Sequence, residues 1–430
     1  MSHIRSESTA QLRLVLSDPG YWLPDDHPAR LFDEMVEHEL DVSPFSSRRV
    51  NAPKRGRPSY DPVMLLKLVQ YGYMFGIRSS RAIAKACVER LDFRFLSGGL
   101  TPSFSTITKF RVEHADALAS LFQQSVSVAI NSALVEMKDV AFDGTKVLAN
   151  ASKHKAMSYG RMCESVQSLH RQIEALKRER PSAKPSRRVE IERDLAFKRE
   201  RMSNIQEHKF ALEDEHIKET GNLPKEKDQR NFTDPESRIM KKRGGFEQCY
   251  NAQAAVDKRS QIVVASFVTQ AANDKQQMEA LVERTVAATG VLPDKGLADA
   301  GYFSEAVAQS LKEQYKTTEW LISPGRVTSG DRSAKPPRGR IPHDISATDL
   351  MRRKLSTKGG KAAYAQRKAI VEPAFGQIKE ANLEFRRFSF RGLVKVQAEW
   401  LIVCAAHNLL KVIRHRQTCL SLAKSKNRAA

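Results

Sequence analysis

Cysteine is scarce in this 430-residue chain, and what there is cannot form an ordered framework. Cys87, Cys163, Cys249, Cys404 and Cys419 are scattered, odd in number and never spaced C-x-x-C. This excludes a disulfide scaffold and a cysteine zinc site, and it fits a reducing cytoplasm. The eleven histidines contain no H-x-x-x-H pair that would suggest a metal helix. No G-x-x-x-x-G-K-[ST] loop occurs, and Gly244-Gly245 and Gly359-Gly360 read as turn glycines, so ATP is not expected. Long apolar runs are also missing. The longest, Trp400 to Ala406, is too short to span a bilayer, and Met1 to Leu16 lacks the apolar core of a secretory signal.

Positive charge, by contrast, is abundant. Lys and Arg number 71 against 50 Asp and Glu, a formal charge of +21 and a pI near 9.8. An excess of this size points to a polyanionic partner, because neutralising phosphates releases condensed counterions. The 41% hydrophobic fraction is ordinary for a folded protein, and the length suits about two to four domains.

The pattern along the chain changes character several times. Lys54, Arg55 and Arg57 form a basic arm that leads to Pro62, well placed in a first helical turn. Three short helices are predicted behind it, with Leu65, Leu66, Val69 and Tyr73 on the first, Ile83, Ala86 and Cys87 on the second, and Ile107 and Phe110 on the third. A helical unit behind a basic arm resembles a DNA-binding helix-turn-helix. From Lys155 to Lys218 Lys, Arg, Glu and Gln dominate, with sparse apolar residues such as Val166, Leu169, Ile173 and Leu176 at helical intervals. This reads as an inserted helical hairpin with coiled-coil character: a dimer contact, a DNA-embracing arm or a solvated spacer. Strands are predicted over 251–256, 261–269, 296–299 and 318–322, helices over 278–288, 304–314, 350–379 and 396–412, and a frayed basic tail after Ser421. Pro373 is expected to kink its helix. Trp320 could stack on an unpaired base, but a lone Trp in an apolar strand fits core better.

Three carboxylates sit in unlike settings within this pattern. Asp143 follows Val140-Ala141-Phe142 and precedes Gly144; Asp299 follows Gly296-Leu297-Ala298 and precedes Ala300-Gly301-Tyr302; Glu372 lies on a basic amphipathic helix. The first two read as the ends of short buried strands, where a mixed sheet can bring distant residues together. Converging carboxylates need a counter-charge, which oxygen-bound divalent cations supply. In so basic a chain the substrate expected for such a centre is a phosphodiester.

These residues resemble the DDE transposases of bacterial insertion sequences. Phe142-Asp143-Gly144-Thr145-Lys146 with Asn150 to Lys155 is similar to the first-Asp block of that family, and Leu297-Ala298-Asp299-Ala300-Gly301-Tyr302 to the second. Tyr364, Arg367, Glu372 and Lys379 resemble its Tyr-Arg-Glu-Lys signature, with four residues rather than three between Arg367 and Glu372, so Lys368 is an alternative to Arg367. Asn231-Phe232-Thr233-Asp234-Pro235 and Tyr250-Asn251-Ala252-Gln253 also look familial. The resemblance implies an α/β fold with an RNase H-like mixed sheet, flanking helices and an all-α N-terminal domain. The expected boundaries are an N-terminal segment 1–53, a helical DNA-binding domain 54–135, a catalytic domain 136–154 plus 230–415 interrupted by the hairpin 155–229, and a tail 416–430. It implies cleavage at the element's ends and joining of the 3′-OH to target DNA, with a nuclease lacking strand transfer or an idle DNA-binding relic as alternatives. Asp143, Asp299 and Glu372 would hold two Mg²⁺ or Mn²⁺ ions, with Asp143 between them. Tyr364, Arg367, Lys368 and Lys379 would grip DNA beside the metals. The implied partners are double-stranded DNA (terminal inverted repeats and target) and a second copy of the chain in a homodimer or larger assembly. The implied location is the bacterial cytoplasm at the nucleoid.

Overall fold

The computed structural model describes residues 19–46, 60–242, 244–325, 339–342 and 344–429. A mixed sheet lies at its centre. Its strands are β1 (Asp139–Leu148), β4 (Arg238–Lys242), β5 (Gly245–Asp257), β6 (Val263–Thr269), β7 (Lys295–Ala298) and β8 (Glu319–Ile322), while β2 (Ala156–Ser158) and β3 (Gln229–Asn231) pair separately. The main order is β6–β5–β1–β7–β8, with β4 pairing the first half of β5. β6, β5 and β1 are antiparallel neighbours; β1, β7 and β8 run parallel. This is an α/β fold with an RNase H-like sheet. β7 and β8 are short, apolar and largely buried, as strands covered on both faces must be. Gly296 is required on β7, because a Cβ there would enter the Trp320 ring. Trp320 itself is core: it is 4% exposed and packs on Phe142.

The predicted helices form, each with a local reason. α1 (Pro28–His38) precedes α2 (Pro62–Met74), whose start is fixed by Asp61 capping Val63 N and by Pro62 in the first turn. Every residue of α2 from Met64 to Met74 is buried, so it is a central rather than a surface helix. α3 (Ser80–Glu89) and α5 (Phe104–Glu113) are capped by Ser79 and Ser103, with α4 (Leu91–Leu96) between them. α6 (Ala115–Asn131) leads to β1. The hairpin expected from Lys155 to Lys218 is α7 (Tyr159–Glu179) and α8 (Pro185–Thr220). α9 (Met278–Thr289), α10 (Glu305–Gln314), α11 (Ala347–Ser356) and α12 (Lys358–Gly376) complete the sheet domain. α12 runs through Pro373, and the irregularity comes later, as a π turn at Gln377–Ala381.

The last helix, α13 (Leu393–Ala429), is far longer than the predicted 396–412, and its helix continues through the tail expected to fray. By length and composition it could cross a membrane, yet 83% of its apolar window is buried inside the protein. One continuous core runs from Leu23 to Ile413 and joins the N-terminal helices to the sheet through α13. At the seam, buried Glu399 of α13 accepts from Tyr73 OH at 2.9 Å, lies 3.6 Å from Arg111 Nη2, and accepts from Ser389 N and Phe390 N at 2.7 and 3.1 Å. The hairpin stands apart, with two small apolar clusters of its own.

Candidate active site

The sheet register sets the site. The last registered pair between β1 and β7 is Phe142 with Ala298. Asp143 and Asp299 are the next residue on each strand, so they sit side by side where the two strands part. The expectation that Asp143 ends its strand is corrected. β1 continues five residues further, to Leu148, along β5, and it is the neighbour β7 that stops. Opened on one side, the Asp143 carboxylate is reachable although its backbone is in mid-strand.

Arg367 of α12 answers this carboxylate, its Nη1 lying 3.0 Å from Asp143 Oδ2. Asp143 Oδ1 accepts from Gly144 N at 2.9 Å, and Asp299 Oδ1 accepts from Gly301 N at 2.8 Å. Burial pushes the Asp143 carboxyl up to about 6 against the pull of Arg367, and the charges of Asp299 and Asp274 push in the same direction. Lys379 lies within the π turn; its ammonium donates to Thr145 Oγ1 and, at 3.3 Å, to the carbonyl of Lys146. Burial, with Lys242 nearby, lowers it to about 8. Tyr364 is half-buried against the core, and burial raises its phenol.

Of the residues singled out in the sequence, the fold therefore gathers Asp143, Asp299, Arg367 and Lys379 around the overhang of β1. Arg367 rather than Lys368 takes the inward position, because one residue turns a helix by about 100° and leaves Lys368 exposed. Glu372 is also exposed, about 140° round α12 from Arg367. Among the described residues no three His, Cys, Asp or Glu side chains already converge closely enough to grip an ion. Lys54, Arg55 and Arg57 lie outside the described residues.

The fold adds a residue that the sequence reading passed over. Asp274, in the loop after β6, accepts on Oδ1 from Asn251 Nδ2 at 2.8 Å and Gln253 Nε2 at 2.6 Å. Buried Tyr302 donates from its hydroxyl to Gln253 Oε1. Asn251 and Gln253, two apart on β5, share a face. The Tyr250-Asn251-Ala252-Gln253 motif was the available signal for this cradle. Asp234 of the other motif is structural: it is buried and accepts from Tyr250 OH at 2.9 Å and from Gly392 N at 3.1 Å.

Two family models match the chain. A transposase domain, DUF772, matches residues 18–113, and the transposase DDE domain matches residues 216–409. The chain is a DDE transposase of the insertion-sequence type. Asp274, Asp299 and Glu372 fall within the DDE match, whereas Asp143 lies between the two matched stretches. No curated protein and no solved structure matches the chain. DDE transposases act on DNA and generally use divalent metal ions. The residues here fit such an ion: two adjacent carboxylates with a buried guanidinium as counter-charge form an oxygen donor set of the kind hard cations prefer.

Proposed function

We propose that this transposase cuts DNA at the ends of its element by metal-assisted hydrolysis and joins each freed 3′-OH to target DNA. The observation that carries this reading is the pairing of Asp143 and Asp299 one step beyond the last β1–β7 pair, beside Arg367. Divalent ions held there would activate the attacking oxygen and stabilise the leaving one at phosphorus. Asp143 and Asp299 are the first holders of that charge. Glu372, on the exposed side of α12, supplies the third carboxylate through the family signature.

The atoms balance without an external energy source. Water oxygen attacks the phosphorus at the element end, and the P–O3′ bond breaks to leave a 3′-OH. That hydroxyl then attacks a target phosphodiester, so one P–O bond forms as another breaks. Arg367 holds Asp143 in place, and Lys379 fixes the overhanging half of β1 that carries it. Exposed Lys361 and Lys368 recur seven residues apart on α12, suited to backbone phosphates running past the centre. Double-stranded DNA in the cytoplasm is the substrate, and two ends in one complex call for at least two protomers.

A strand-transfer assay with labelled element ends tests the reading. Asp143→Asn and Asp299→Asn should abolish both cleavage and joining while retaining DNA binding, because Lys and Arg elsewhere supply the affinity. Glu372→Gln should do the same; wild-type cutting by that variant removes Glu372 from the centre. Cleavage without joining would make the chain a nuclease, and binding without cleavage a relic.

A further inference from the structure

We infer that Asp274 is a further carboxylate of the catalytic centre, its Oδ2 helping Asp143 and Asp299 hold the divalent cation. The inference rests on the reading just given and extends it beyond the three acidic residues of the family signature.

Three observations converge on this residue. The first is orientation. Both amide donors, Asn251 Nδ2 and Gln253 Nε2, fall on Oδ1. Oδ2 takes no described hydrogen bond, so one oxygen is fixed and the other is left to a cation. Two converging amides from one strand face define the carboxylate plane, as outer partners of metal ligands do. Gln253 is itself buried and held by the Tyr302 hydroxyl.

The second is space. Gln253 opposes Gly144 on one face of β1, whereas Asp143 opposes Ala254 on the other. Asp274 thus approaches from the side opposite α12, and any side chain at residue 144 would block it. A Cβ on Gly144 would lie 2.6 Å from Asp274 Oδ1 and 2.6 Å from Gln253 Nε2. The same holds across the gap. A Cβ on Gly301 would lie 2.9 Å from Asp299 Oδ1 and 3.3 Å from Asp274 Oδ2, so these two oxygens flank one small space. The glycines after both acidic motifs leave room for Asp274.

The third is charge. Asp274 and Asp299 both act on Asp143, and Arg367 is the one cation paired with that carboxylate among the described residues. A divalent ion among three carboxylates offsets more of this repulsion than one guanidinium can.

The test measures Mn²⁺ binding to the full-length protein without DNA, from loss of the free-ion paramagnetic resonance signal, beside the melting-temperature rise the ion produces. Asp274→Asn keeps an oxygen for Asn251 and Gln253 but removes the charged Oδ2. It should melt in chelator at or above the wild-type temperature, bind Mn²⁺ at least about tenfold more weakly, and lose most of the ion-induced rise. Asn251→Ala, which frees the carboxylate to swing, should weaken binding in the same direction and serves if Asp274→Asn does not fold. Wild-type Mn²⁺ binding by both variants, with binding lost in Asp143→Asn, overturns the role of Asp274 and leaves the cation site standing. Absence of specific binding in the wild type overturns this inference and the metal reading together.

Discussion

Arg367 and Asp143 are 224 residues apart in the chain, yet in the fold a guanidinium nitrogen stands 3.0 Å from a carboxylate oxygen. The two side chains are 12% and 21% exposed, so the pair is largely shielded from solvent. It ties α12 to the overhanging part of β1 and keeps a buried carboxylate compensated where the sheet opens.

Arg367→Ala should therefore lower DNA cleavage by roughly a hundredfold, the scale of losing one preorganised electrostatic group in an active site, because Asp143 loses the partner that holds it. Lys368→Ala, at an exposed neighbour, should change it by less than about threefold. Single-turnover cleavage of labelled ends by the two variants checks the order. Equal effects would return the inward role to Lys368.

The seam between the N-terminal helices and α13 should be a major determinant of stability. Glu399 is fully buried and Arg111 nearly so, and Tyr73 bridges them. Glu399→Leu strands a buried guanidinium and should cost about 3–5 kcal/mol, while Arg111→Met with Glu399→Leu should cost clearly less than the two single changes added together. Denaturant titration of the three variants reads this directly. Truncation before Glu113 should fail to give a stable protein, because it strips α2 from α13.

Acid should loosen the same helix. His407 is buried on α13, donates from Nε2 to the Gln261 carbonyl at 2.9 Å, and has Lys411 and Arg414 nearby. Burial pushes it down to about 4 from 6.5. A depressed folded value means the stabilisation is complete above 6.5 and is lost as the pH falls through 4, worth about 3 kcal/mol at most. The melting temperature of the wild type should fall across that window, and that of His407→Gln should fall less steeply over the same range.

The hairpin should be dispensable for folding. Met162, Leu169, Ile205 and Leu212 form one of its clusters and Ile173, Ile191 and Leu195 the other, both separate from the main core. Removing residues 161–224 and joining the ends by a short turn should leave the melting temperature within a few degrees, and should weaken assembly on two DNA ends more than binding to one. Sedimentation with one end and with two decides between a dimer arm and a solvated spacer.

Much of this molecule was legible without coordinates. The strand that stops just before Asp299, the helical hairpin, the capped helix at Pro62 and the core position of Trp320 all follow from local pattern, because period, turn residues and caps act over a few neighbours, whereas the run of β1 past Asp143 does not. The same locality hid the length of α13. Its polar C-terminal half looks solvated in sequence, but in the fold Arg416 pairs with Glu39 and Gln417 donates to the Asp26 carbonyl.

The sequence by itself determined the inventory: an acidic residue followed within two residues by glycine in two strand contexts, a basic helix with a Tyr-Arg-Glu-Lys spacing, and an excess of positive charge. Tertiary structure alone decided which of those groups meet. It selected Arg367 over Lys368, left Glu372 on the outside of α12, and brought Asp274 in through the gap at Gly144 on the arms of Asn251 and Gln253. The reason is directional. A side chain's aim depends on helical phase and strand register, which change by about 100° or a full half-turn per residue, and only packing across the sheet fixes them.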